Sequence, residues 1–142
     1  MHELKWSPVF EVGVDKIDAD HRRLFAMANE IREAIVNGDR NTRATLVRAF
    51  LEAAERHFAD EEEYLRRVGY SDVAQRENLH AALLANATEL EKQCEEGMAG
   101  SDVDEYYGDL LAFVIDEVVS ADHRFKSYLE HKGLTKSRSP GF

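Results

Sequence analysis

The chain has 142 residues, 44% of them apolar, which suffices for one domain with its own core. A formal net charge of −10 opposes nonspecific attraction to nucleic acid or to anionic lipid, so neither is expected as a partner. The lone Cys94 excludes an internal disulfide and a thiolate metal cluster, no apolar run reaches the length of a membrane span, and the opening residues lack a secretory apolar segment; the expected location is the cytoplasm.

Only two Pro and eight Gly occur, and the Gly gather between long stretches of helical periodicity, so an all-α domain is expected over 1–142. Residues 1–17 carry Pro8, Gly13 and the alternating apolar Val9, Val12, Val14 and Ile17; they read as an extended N-terminal arm anchored by Trp6 and Phe10. A first helix is expected over 18–37, N-capped by Asp18 and stopped at Asn37-Gly38, with His21 heading the stripe Leu24, Ala28, Ile31, Ile35. The second, over 41–68, places Leu46, Phe50, Ala53, His57, Glu61 and Tyr64 on one face and stops at Gly69. The third, over 71–96, begins at Ser71 and has the stripe Val73, Arg76, His80, Leu83, Ala87, Leu90, Cys94. The fourth, over 101–132, carries Val103, Tyr106, Leu110, Val114 and Glu117, with Asp122, Phe125 and Leu129 on an overlapping row; 133–142 is a frayed tail. Helices of about 20 to 30 residues on short turns pack as an antiparallel up-down-up-down four-helix bundle.

Each stripe carries ionisable residues. His21 falls early in the first helix, His57 and Glu61 late in the second, Arg76 and His80 early in the third, and Glu117 and Asp122 late in the fourth. An antiparallel bundle brings all seven to one end. A single His on an apolar face is ordinarily a hydrogen-bonded core residue, but desolvating seven such groups at one level is costly unless a metal neutralises them. His57 and Glu61 are four apart, one above the other on a helix, so their side chains can share an ion. Imidazole and carboxylate without thiolate suit iron, manganese or zinc, and a carboxylate can bridge two ions. Elsewhere, His123 is expected at the surface, His2 and His131 have no partners at ligand spacing, Glu62 and Glu63 read as a solvated face, and Tyr64, Tyr70 and Phe125 read as core.

Trp6, Val12-Gly13-Val14, Ile17-Asp18 and His21-Arg-Arg-Leu-Phe25 resemble the opening of a bacterial hemerythrin. The likeness continues through His57-Phe58-Ala-Asp-Glu61-Glu62, Gly69-Tyr70, His80 and Asp122, nearly the whole chain. The resemblance implies two irons joined by an oxo or hydroxo bridge, held by five His and two bridging carboxylates, with dioxygen bound at one iron. Carried over by residue, His21 and His57 match ligands of the dioxygen-binding iron, Glu61 and Asp122 match the bridges, and His80 matches one of three His on the other iron. Two positions depart. Arg76 stands where the His-x-x-x-His motif begins, and Glu117 replaces the His five residues before Asp122. The swaps cancel in charge, and Arg cannot ligate a cation. Either Glu117 ligates a second metal while Arg76 hydrogen-bonds a ligand oxygen, or an Arg76–Glu117 ion pair replaces that metal. The implied function is binding of dioxygen or peroxide as a carrier, store or sensor. The rivals are a carboxylate-rich oxidase or peroxidase and a structural site.

Overall fold

The computed structural model describes residues 5–95, 108–109, 112 and 125–135. All regular structure among them is helical. A 3-10 turn at Pro8–Phe10 precedes helices α1 (Asp15–Val36), α2 (Arg40–Arg67), α3 (Val73–Glu95) and a short α4 (Lys126–His131). Gly108, Asp109 and Ala112 are also helical, while most of the expected fourth helix, including Glu117, Asp122 and His123, lies outside the described residues.

Local chemistry explains most of the boundaries. α1 starts at Asp15, three residues before the expected cap, because Asp18 has a different task. Its carboxylate is buried and accepts the backbone N–H of Val12 at 2.7 Å and of Gly13 at 3.0 Å, tying the preceding segment to the first turn of the helix. That segment lies on α1, with Trp6, Phe10 and Phe25 in mutual ring contact at centroid distances of 5.1 to 5.7 Å. At the other end of α1, Gly38 takes φ +69°, and Asp39 N–H returns to Ala34 O, closing the last turn. Asp39 then caps α2, accepting from Thr42 N at 3.0 Å. Gly69, at φ +81°, ends α2 in the same manner, with Tyr70 N–H bonded to Leu65 O.

α2 packs against both α1 and α3. Contacts pair the start of α1 with the end of α2 (His21 with His57) and the end of α2 with the start of α3 (Arg66 with Glu77). Among the described residues, the buried apolar side chains form two clusters. The larger is built on Leu24, Phe25, Ala28, Ile31, Phe50, Ala54, Phe58, Leu83 and Ala87, and the smaller on Val12, Ile17, Leu65, Phe125 and Leu129. Along α1, His21 falls between Ile17 of the smaller cluster and Leu24 of the larger. Along α2, Glu61 falls between Phe58 and Leu65, and along α3, Arg76 and His80 fall between Val73 and Leu83. A polar layer is thus enclosed between two apolar ones.

Candidate metal centre

Among the described residues, three helices supply the polar layer. α1 contributes His21, α2 contributes His57 and Glu61, and α3 contributes Arg76 and His80; each is at most 3% exposed. The four-residue spacing of His57 and Glu61 brings His57 Nε2 to 3.0 Å from Glu61 Oε2 on one face of α2. His21 Nε2 approaches across the α1–α2 interface, 3.1 Å from His57 Nε2 and 3.6 Å from Glu61 Oε2. On the other side of the same carboxylate, Arg76 Nε donates to Glu61 Oε1 at 2.7 Å and His80 Nε2 lies 3.3 Å from it. The two oxygens of Glu61 therefore have separate neighbours.

Two further carboxylates orient the imidazoles. Asp20 Oδ2 is 2.9 Å from His57 Nδ1, and Glu62 Oε2 is 2.8 Å from His80 Nδ1. Burial alone would raise the Asp20 carboxyl, but its hydrogen bonds with His57 and Lys16 outweigh that and hold it below the usual value. An ionised Asp20 accepts only, so His57 Nδ1 carries a proton and a neutral His57 turns its Nε2 lone pair inward. Carboxylate–imidazole pairs of this kind fix the tautomer of metal-binding histidines and raise their basicity. Phe58 stacks flat on the His80 ring, centroids 4.0 Å apart, and restricts its rotation.

The arrangement fits a cation. The ligand-type atoms of His21, His57 and Glu61 lie within 4.8 Å of one another, and Glu61 Oε2 is buried with no hydrogen bond among the described residues. Lone pairs converging in a dry layer repel unless a proton or a metal lies between them. An ion bonded at about 2.1 Å to pairs of atoms with these separations would subtend angles of about 90–120°, within reach of octahedral or tetrahedral coordination. Glu61 is suited to the task at any ordinary pH. Burial would raise its carboxyl, but contacts with His21, His57 and His80 and the charge of Arg76 outweigh burial and hold it well below the carboxylate range.

Of the residues proposed from sequence, the structure thus brings His21, His57, Glu61, Arg76 and His80 together; Glu117 and Asp122 lie outside the described residues. Within the described contacts, Arg76 engages Glu61. One expectation is corrected: Glu62 is not part of a solvated face, because its position one step round α2 from Glu61 lets it reach His80 on α3, while Glu63 is exposed. Asp20 went unrecognised. It precedes His21 and pairs with Lys16 four residues earlier, which gives it the sequence signature of a surface ion pair. The available hint was an acidic residue beside a core His in the first turns of a helix. Tyr70 and Phe125 do belong to the core, and the Arg76 guanidinium lies 5.0 Å over the Phe125 ring.

Comparison with known proteins gives a consistent result. The family described as the hemerythrin HHE cation binding domain matches residues 12–126. The chain is similar to a bacteriohemerythrin of Clostridium acetobutylicum, 31% identical over 115 residues that cover 78% of this chain and 85% of that protein. It is 24% identical over 144 residues to a bacteriohemerythrin of Pseudomonas aeruginosa, covering 99% of this chain and 92% of the relative. A bacteriohemerythrin of Methylococcus capsulatus is 27% identical over 111 residues, covering 78% and 81%.

Proposed function

The chain belongs to the hemerythrin family, and from that premise we propose that it is a non-heme iron protein that binds dioxygen or its reduced forms as a carrier, store or sensor. The observation that supports this most directly is the convergence of His21 Nε2, His57 Nε2 and Glu61 Oε2 in a buried layer. In this reading the chain is an up-down-up-down bundle in the cytoplasm, with the segment before α1 as its arm and 101–132 as its fourth helix. Asp122 on that helix completes the ligand set, and Glu117 lies at the same level.

Iron held by these residues would supply open coordination positions and a reversible change of oxidation state. The chain's residues do the rest. Asp20 holds His57 with its Nε2 inward, and Glu62 holds His80. Glu61 stays ionised and neutralises the cation, while Arg76 fixes the rotamer of that carboxylate. The apolar clusters on either side keep water from the layer, which keeps its electrostatics strong.

The deciding experiment is anaerobic reconstitution with ferrous iron followed by stopped-flow mixing with dioxygen. A coloured adduct that disappears under vacuum supports carriage, and fast irreversible oxidation supports sensing or peroxide handling. Protein that takes up no iron, and gains no thermal stability from it, rules the proposal out.

A further inference from the structure

We propose that the Arg76 guanidinium occupies the charge position of a second metal, so that this chain builds a centre for one metal ion per chain. The inference rests on the non-heme metal reading above and specifies its nuclearity. A carboxylate that bridges two metals presents one oxygen to each. Glu61 also presents its oxygens in two directions: among the described residues, the ligand-type atoms gathered for an ion, those of His21 and His57, lie on the Oε2 side, while Oε1 has His80 Nε2 at 3.3 Å. Oε1 meets a cation the chain already supplies: Arg76 Nε at 2.7 Å, buried and lying over the Phe125 ring.

Several physical points make the substitution exclusive. A guanidinium cannot lose its proton in a protein and has no lone pair to offer, so Arg76 neither ligates nor becomes neutral to admit an ion. Its contacts with Glu61 and Phe125 fix it inside the polar layer, where repulsion of a nearby divalent ion is poorly screened. His80 follows the same division. Its Nε2 lies 3.3 Å from Oε1, the oxygen that Arg76 Nε already holds, so an ion placed between the two would stand against the guanidinium.

The test is metal stoichiometry with cobalt(II), which is not oxidised on the timescale of the measurement. Wild-type and Arg76→His protein are titrated anaerobically, counted by native mass spectrometry and examined by electron paramagnetic resonance. Wild type is expected to saturate at one ion per chain with the signal of an isolated high-spin ion. Arg76→His, which restores a neutral donor four residues before His80, is expected to take a second ion and lose signal through magnetic coupling. If circular dichroism shows that variant unfolded, Arg76→Gln replaces it, with the second ion expected to bind more weakly. Two ions on wild type overturn the inference and leave the metal reading standing. A single ion on the folded variant also overturns it, because something other than the guanidinium then excludes the second. No ion on wild type removes the metal reading, and this inference with it.

Discussion

Replacing Arg76 by Met in the metal-free protein isolates the energetics of the polar layer. Met keeps the apolar stem and the contact with Phe125 while removing the charge and the Nε donor. At 2.7 Å and an effective dielectric constant of about 20, the direct attraction between Arg76 and Glu61 is about 6 kcal/mol, before the cost of desolvating both groups is counted. Loss of one partner of a buried pair ordinarily costs about 3–5 kcal/mol, since the other charge is left behind. Glu61 retains His21, His57 and His80 as neighbours and can also accept a proton, so the lower end, about 3 kcal/mol, is expected. With a urea m-value of about 2 kcal/mol/M, the unfolding midpoint should fall by about 1.5 M at unchanged slope. A double-mutant cycle with Glu61→Gln should return a coupling of about 2 kcal/mol or more. A loss below about 1 kcal/mol, or a coupling near zero, would refute the argument that the guanidinium and the carboxylate stabilise each other.

Other consequences are independent of that pair. The folded-state values of Glu61 and Asp20 are depressed below their ordinary 4.5 and 3.8, so the unfolded chain binds more protons in acid. Their stabilisation is complete above those ordinary values and is lost as pH falls through the depressed ones. Urea midpoints of metal-free protein between pH 6 and pH 3 should therefore fall with acidification, with a shallower fall in Glu61→Gln; a midpoint that rises in acid contradicts the assignment. Asp20→Asn leaves the fold intact but releases the tautomer of His57, and metal affinity measured against a chromophoric chelator should drop by about 10- to 100-fold. Gly13 has φ +91°, and an added Cβ would come within 2.7 Å of Thr135 Cβ, so Gly13→Ala should cost at least about 1–2 kcal/mol in chemical denaturation. An unchanged midpoint would show that the segment before α1 does not pack on the residues after α4.

Periodicity alone was enough for α1, α2 and α3 and for the buried stripe of α1, because Leu24, Ala28, Ile31 and Ile35 pack in one direction. It was less reliable for α2. Leu46 and Ala53 are only partly buried, whereas Val47, Ala54 and Phe58, off the expected face, are in the core. That helix is covered from two sides, by α1 and α3, and its buried arc is wider than any single stripe. The start of α1 was displaced for a related reason: Asp18 has the sequence signature of a cap, yet binds backbone six and five residues earlier, a closure that helical periodicity does not encode.

The candidate centre divides along the same line. Residue type and helical spacing sufficed to bring forward His21, His57, Glu61, Arg76 and His80, since an ionisable group on an apolar stripe is costly to bury and needs a reason. Tertiary structure decided which oxygen of Glu61 each neighbour meets, that Arg76 binds Oε1, and that Asp20 and Glu62 hold the outer nitrogens of two imidazoles. Those contacts run between helices over distances of about 3 Å, and a pattern within one helix specifies the face a side chain leaves from, not the atom it meets across the interface.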